Sequence, residues 1–231
     1  MALYCEFTNG ECAEKGLYKA MKCLYDHLQS GKIKLFRWGE YRWFECFIPL
    51  SYLYQKYNES WMIELANILR SQGADYRDYK EHWKKPLNKW TLYTHVVNVA
   101  MMLKYEAVSC ELLGGEYCDY AEELWTILEE YNGTAVATFT GDECLSGKLN
   151  NQGTELCSVV ELMYTCEVLY SLTGNNVWAD RLEKIAFNAL PATISDDMWT
   201  HQYDQQVNQI ACVKFPGKSH FRTNDSNSKL G

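Results

Sequence analysis

The sequence predicts an all-α fold, built from helical hairpins that form part of an α/α toroid, with a short extended segment at its end. Three observations support this class. Amphipathic helix patterns recur along the chain, short polar turns join them in pairs, and the helical periodicity stops after Pro191. We therefore expect a helical barrel portion over 1–190, and an extended and loop segment over 191–231 that continues the same domain and is truncated.

The first strong helix pattern is GLYKAMKCLYDHLQSG. Its apolar residues recur at intervals of three and four and share one face, namely Leu17, Met21, Leu24 and Leu28. Gly31 follows, and glycine is the usual residue just beyond a helix C-terminus. The next segment, YRWFECFIPLSYLYQKY, is apolar nearly all round, which predicts a buried helix with Pro49 near its first turn or at a kink.

Three later segments share one pattern: an apolar helix end, a short polar turn, an aromatic residue and a second amphipathic helix. The aromatic residues after the turns are Trp61, Tyr117 and Trp178, at similar intervals. Stacked hairpins of this kind build solenoids or close into a toroid, and Gly-rich, polar connections favour the toroid. After Pro191, TISDDMWTHQYDQQVNQIACVKF has no sustained apolar stripe and predicts extended segments with loops.

Charge, hydropathy and cysteine content exclude some classes of function. The net charge is −8 and the Lys and Arg residues are scattered, which argues against a nucleic-acid partner. The N-terminus has no signal-peptide pattern, and no apolar run is as long as a membrane span, so we expect a soluble chain without a membrane role. The ten cysteines are spread along helices, which favours reduced thiols. Compartment and oligomeric state are left open.

The stretch FTGDECLSGKLNNQGTELC carries most of the candidate chemistry. Glu143 follows a Gly-Asp turn, and is either a solvated loop residue or a general acid at the mouth of a helical barrel. Thr154 is placed to cap the next helix, which puts Glu155 and Cys157 in its first turn. A helix N-terminus favours negative charge and lowers a thiol pKa, so both groups could be ionised there and form half of a zinc site. Capping with core packing is the alternative.

Four segments together resemble the catalytic domain of glycoside hydrolase family 127, the β-L-arabinofuranosidase-like proteins: WTLYTHVVNVAMMLKYEA, FTGDECLSGKLNNQGTELCSVVELMYTCEVL, WADRLEKIAFNALPA and DDMWTHQYDQQVNQ. The resemblance covers roughly residue 42 to the end. It implies an (α/α)6 barrel followed by β-rich domains. It also implies a retaining hydrolase in which a zinc-bound cysteine thiolate attacks the anomeric carbon of a carbohydrate substrate.

The resemblance carries over to individual residues. Glu143 matches the catalytic acid/base, although the loop that follows it is shorter here, and Glu155 and Cys157 match the metal-binding pair. His95 matches a histidine that contacts a sugar hydroxyl, with a buried core histidine as the alternative. Tyr203 and Asn208 match positions near the mouth, with loop scaffolding as the alternative.

One departure changes the expectation. The family pattern continues into two adjacent cysteines that include the nucleophile, and the 231 residues contain no such pair. We therefore expect an incomplete zinc site and a chain that is inactive alone. Two alternatives stay open: a non-catalytic carbohydrate-binding or interaction protein derived from the same toroid, and a metal-independent α/α-toroid epimerase or uronide hydrolase. The Glu-x-Cys spacing argues against the latter.

Overall fold

Helices make up most of the chain in the computed structural model, which describes residues 1–8, 10–85, 90–117 and 119–207 and confirms the predicted helical class. In chain order the helices are α1 (Ala2–Thr8), α2 (Glu11–Gln29), α3 (Trp38–Tyr41), α4 (Phe47–Tyr57), α5 (Ser60–Gln72), α6 (Val96–Met102), α7 (Tyr105–Leu113), α8 (Tyr120–Asn132), α9 (Leu156–Thr173) and α10 (Asn176–Lys184). The short strands are β1 (Gly141–Asp142), β2 (Cys144–Leu145), β3 (Gly153–Glu155) and β4 (Asp204–Gln206). Tyr76–Lys84 forms a 3-10 helix, and Ile185–Ala189 a π-helical turn.

The chain divides into two compact units that are each discontinuous in sequence. The first comprises Met1–Asp75 and Tyr105–Cys118, and the second comprises Tyr76–Lys104 and Asp119–Gly231. The predicted boundary at residue 190 stays a prediction, as does the arrangement of the hairpins as part of a toroid. Of the three predicted hairpins, α4–α5 and α9–α10 pack as pairs, whereas α7 belongs to the first unit and α8 to the second.

In the first unit, α2 follows the predicted pattern. Leu17 and Leu28 are buried, and Met21 and Leu24 are half-buried. Gly31 has φ 68°, a left-handed conformation that glycine adopts without a steric penalty. The core of this unit is apolar and includes fully buried side chains of α4, α5 and the turn before α4, namely Phe44, Phe47, Leu50, Leu53, Met62 and Leu65.

A buried carboxylate joins α2 to α4 in the same unit. Glu14 accepts a hydrogen bond from the Tyr52 hydroxyl at 2.8 Å, and further bonds from the Lys56 ammonium and the Tyr57 hydroxyl. These donors, Lys56 first, lower the pKa of Glu14 to about 2. The ionised Glu14 carboxylate thus accepts the hydrogen bonds that link α2 to α4.

The second unit is organised around large aromatic side chains. Trp125 of α8 packs edge-on against Phe139 and Trp178, with ring centroids 4.9 and 5.9 Å away. The Arg181 guanidinium lies 4.4 and 4.5 Å from the ring centroids of Trp125 and Trp178, and donates to both carboxylate oxygens of Glu122 at 2.9 Å. This bidentate pair links α8 to α10 through groups that are mostly removed from water.

A small sheet lies in this unit, with strand order β2-β1-β3-β4. β1 is antiparallel to β2 and parallel to β3, and β3 is antiparallel to β4. Asn132 at the end of α8 fixes the segment that carries β1 and β2, because its side chain donates to the Trp83 carbonyl at 2.8 Å and accepts from the Gly147 N–H at 3.0 Å. Three of the four strands thus precede residue 190, inside the portion that the sequence predicts as helical.

Helix α9 is apolar on average over its whole length. Among the described residues, it has the length and mean hydropathy, 1.2, of a marginal membrane span, whereas the sequence reading expects no run of that length. It packs against α6 and α10 and buries Thr165 and Ser158, and 33% of it is buried. The eight described cysteines are all free, as predicted for reduced thiols.

Candidate functional site

Three chain segments of the second unit bring acid–base side chains together. His95 precedes α6, Glu143 lies between β1 and β2, and Glu155 ends β3 where α9 begins. One ligand atom from each of these residues lies within 4.8 Å of the other two. By distance, the three side chains can therefore share one metal ion.

His95 is held by the start of α6. It occupies the N-cap position, with φ −59° and ψ 118°, and its Nδ1 accepts the Asn98 backbone N–H at 3.4 Å. Asn98 is itself buried and donates from Nδ2 to the Leu92 carbonyl at 2.8 Å, which ties the turn before the helix to its first turn. His95 is 5% exposed, so its ring has one orientation in which Nε2 faces Glu143.

Glu143 sits in a turn that is fixed by its own backbone. Its φ is 93°, an unusual value for a residue with a side chain, and its carbonyl accepts the Val96 N–H at 2.7 Å. The side chain, one-third exposed, places Oε2 3.3 Å from His95 Nε2 and 3.4 Å from the indole nitrogen of Trp90. The turn therefore places the partly exposed Glu143 carboxylate beside the ring nitrogens of His95 and Trp90.

Glu155 is the buried carboxylate of the group, at 2% exposure. The Tyr203 hydroxyl donates to its Oε1 at 2.5 Å, and the Tyr203 carbonyl accepts the Leu156 N–H at 2.6 Å. Oε2 is buried and has no hydrogen-bond partner among the described residues. Burial raises the pKa of Glu155, and the Tyr203 hydroxyl and the Cys157 thiol only partly offset that rise.

Cys157 lies one turn into α9 and does not have the acidic thiol that the sequence predicts. Burial and the charge of Glu155 raise its pKa to about 11, although the residue as a whole is exposed. The expectation of an ionised thiol at the helix start is therefore wrong for the metal-free chain, because burial raises the pKa of Cys157 by more than the helix N-terminus lowers it. Thr154 is also not the N-cap: it lies in β3, and Glu155 occupies the cap position without a side-chain capping bond.

The structure brings together most of the residues singled out from the sequence. His95, Glu143, Glu155 and Tyr203 form one connected cluster beside Cys157. Asn208 lies outside the described residues. Sequence reasoning missed Trp90, whose ring is edge-on to His95 at 5.8 Å, although this residue opens the WTLYTH segment that carries the resemblance.

The donor set can be compared with known metal geometry. Tetrahedral zinc holds nitrogen and oxygen ligands at about 2.0–2.1 Å, so two such ligands lie about 3.3–3.4 Å apart. His95 Nε2 and Glu143 Oε2 have that separation, which is also the length of a direct hydrogen bond. The orphaned Glu155 Oε2 is a further donor, and the adjacent thiol adds sulfur, a ligand type that zinc favours.

No family model and no curated protein matches the chain.

Proposed function

We propose that this chain carries the acid/base and part of the metal site of a retaining glycoside hydrolase of the family 127 type, acting on β-L-arabinofuranosides or a related sugar. The observation that supports it best is the cluster itself: a partly exposed carboxylate, Glu143, lies beside a buried carboxylate, Glu155, and a thiol, Cys157. A partial α/α toroid, a carbohydrate partner and the lack of nucleic-acid or membrane partners belong to the same proposal.

Glu155 and Cys157 fit a zinc ion as two of its ligands. The buried Oε2 of Glu155 has no hydrogen-bond partner among the described residues, and a metal ion would satisfy it. When bound, zinc would keep a coordinated cysteine sulfur deprotonated at neutral pH and available as a nucleophile. Structural zinc sites use four donors, so this pair alone predicts weak binding.

Glu143 has the access that a general acid/base requires. In a retaining hydrolysis, the acid first gives a proton to the leaving sugar oxygen, and the resulting carboxylate then takes a proton from the attacking water. Because one-third of its side chain is exposed, Glu143 can reach a substrate oxygen, whereas the buried Glu155 cannot exchange protons as readily. Trp90 borders the cluster with exposed aromatic surface suited to a sugar ring.

One observation favours a second candidate, a metal-independent sugar hydrolase or epimerase. The pKa of Glu155 is raised next to Glu143, and two carboxyls in different environments are the usual acid and base of such enzymes. Zinc dependence distinguishes the two candidates, since a carboxylate pair without metal would be unaffected by chelation.

The first test is the zinc content of the purified chain and of Cys157→Ser, with p-nitrophenol release from p-nitrophenyl β-L-arabinofuranoside measured in parallel. We expect weak zinc binding that falls about 10-fold or more in Cys157→Ser, since a ligand is lost. We expect no turnover, since none of the described cysteines belongs to an adjacent pair. Equal zinc binding by both proteins, or turnover that survives chelation, would contradict the proposal.

A further inference from the structure

The imidazole of His95 has two nitrogens with different partners, and these partners determine which nitrogen carries the proton. Nδ1 accepts the Asn98 backbone N–H at 3.4 Å, so it must present a lone pair. A neutral imidazole has one N–H, and the proton is therefore on Nε2. Because the donor is a backbone N–H in the first turn of α6, it cannot reverse its role.

The protonated nitrogen faces Glu143. Nε2 lies 3.3 Å from Glu143 Oε2, within reach of an N–H to carboxylate hydrogen bond. The Trp90 indole N–H approaches the same oxygen at 3.4 Å. Both donors are neutral groups, and His95 is buried whereas Trp90 is exposed, so the carboxylate position is set mainly by His95.

Backbone contacts prevent the two residues from separating. His95 and Cys144 form a β-bridge, the Val96 N–H donates to the Glu143 carbonyl at 2.7 Å, and the Leu145 N–H donates to the Thr94 carbonyl at 2.9 Å. The left-handed turn at Glu143 is thus anchored to the start of α6 through Glu143 itself and the two residues that follow it. The His95–Glu143 contact is a fixed element of the site.

We infer that His95 is a positioning residue for Glu143. The cap of α6 fixes its imidazole as the Nε2–H tautomer, and His95 is therefore not a ligand of the metal. A metal bound through Nε2 needs the lone pair of that nitrogen, so the proton would have to move to Nδ1 and the α6 cap would be lost. The three residues that can share an ion by distance therefore have different roles. Glu155 is a metal ligand together with Cys157, whereas His95 donates a hydrogen bond to Glu143. This assignment of ligands rests on the proposed function, whereas the tautomer does not.

The tautomer is tested directly by proton and nitrogen NMR of the ¹⁵N-labelled chain without metal, with His95→Gln to assign the ring signals. We expect a protonated Nε2 and an unprotonated Nδ1. We also expect the Nε2–H proton resonance to move upfield in Glu143→Gln, because a hydrogen bond to a charged acceptor is stronger than one to an amide. A histidine that only caps α6 would show no such shift. A protonated Nδ1, or an Nε2–H resonance unchanged by Glu143→Gln, would overturn the inference.

The choice of metal ligands is tested by zinc titration of the wild type, His95→Gln and Cys157→Ser. Loss of a ligand or of its direct hydrogen-bond partner costs about 10–100-fold in affinity. We expect that loss in Cys157→Ser, and a change of well under 10-fold in His95→Gln, whose side-chain amide keeps an N–H donor toward Glu143. The opposite order, or zinc-induced loss of the Nε2–H signal in the wild type, would make His95 a ligand. Unchanged affinity in both variants would instead count against the zinc pair, and the metal-free NMR result would still decide the role of His95.

Discussion

Replacing Tyr203 with phenylalanine tests whether one hydroxyl supports the buried carboxylate of the site. The hydroxyl donates to Glu155 Oε1 at 2.5 Å, and Oε2 has no partner among the described residues. Tyr203→Phe thus removes the hydroxyl donor from a carboxyl that is 2% exposed. Hydrogen bonds to charged groups contribute about 1.5–3 kcal/mol, so we expect the free energy of unfolding of the metal-free chain to fall by about 2 kcal/mol when Glu155 is ionised.

The size of this loss should depend on pH. Burial raises the pKa of Glu155 above its ordinary 4.5, while the Tyr203 hydroxyl lowers it. A carboxyl whose pKa is raised on folding contributes most to stability below its unfolded pKa, and that contribution is lost as pH rises through the folded pKa. Without the hydroxyl the folded pKa rises further. The loss should therefore be smaller, about 1 kcal/mol, at acidic pH where the bond joins two neutral groups.

Urea unfolding followed by circular dichroism, in the presence of a chelator, measures both values. Glu155→Gln provides the control, because a neutral amide keeps an acceptor oxygen for Tyr203 and removes the ionisable group. We expect Glu155→Gln to stabilise the metal-free chain above pH 4.5, and the effect of Tyr203→Phe in that background to be independent of pH. An equal loss at both pH values and in both backgrounds would refute the coupling between these two side chains.

Three further predictions concern the framework of the two units. Arg181→Lys should lower the free energy of unfolding by about 1–3 kcal/mol in urea titrations, because lysine cannot make the bidentate contact with Glu122. Gly153→Ala should cost about 1–3 kcal/mol in the same assay, since an added Cβ would lie 1.8 Å from Oδ1 and 2.9 Å from Cγ of Asp142 on the neighbouring strand β1, and that side chain would have to move. Glu14→Gln should weaken the dependence of the free energy of unfolding on pH in the acid range. The Glu14 pKa of about 2 gives a stabilisation that is present above pH 4.5 and lost as pH falls toward 2.

Each of these predictions has a matched control. Glu122→Gln keeps an acceptor for Arg181 but removes the charge, so it should cost less than the loss of the guanidinium. Gly39→Ala places a Cβ no nearer than 3.7 Å to its closest neighbour, and should be nearly neutral. For the acid transition, Glu11 is exposed and pairs with exposed Lys15, so Glu11→Gln should leave the profile unchanged. A Gly153→Ala protein as stable as Gly39→Ala would show that the Asp142 side chain moves aside without cost.

The sequence predicted the helices better than it predicted the sheet. Helices α2, α5 and α9 are long enough for an apolar period to show, and Gly31 marks the end of α2 by its conformation. Strands β1 to β4 have two or three residues each, too few for an alternating pattern, and β3 pairs with β4 across some fifty intervening residues. The resemblance brought His95, Glu143 and Glu155 together as candidates, but it could not show their distances.

The charge states at the start of α9 could not be derived from the sequence either. A helix N-terminus favours ionised groups by a few tenths to about 1 kcal/mol when exposed, and the prediction for Cys157 rested on that effect. Desolvation acts in the opposite direction and depends on what covers the side chain. β4 pairs with β3 there and brings Tyr203 to Glu155. The local pattern thus identified the chemical groups, whereas burial raises the pKa of both groups and the Tyr203 hydroxyl partly offsets that rise.

Burial of Glu155 makes physical sense if the site is arranged for a cation. A buried carboxylate oxygen without a hydrogen-bond partner among the described residues lowers stability in the metal-free chain, and burial and the charge of Glu155 keep the neighbouring Cys157 protonated, with a pKa of about 11. A divalent metal reverses both effects, because it satisfies the oxygen and makes the thiolate the favoured form. The same cation would not displace the proton on His95 Nε2 without removing the cap of α6. Under the proposed function, the stability lost at Glu155 and the fixed orientation of His95 would have a common consequence: a metal would bind Glu155 and Cys157, and Glu143, as the acid/base, would keep His95.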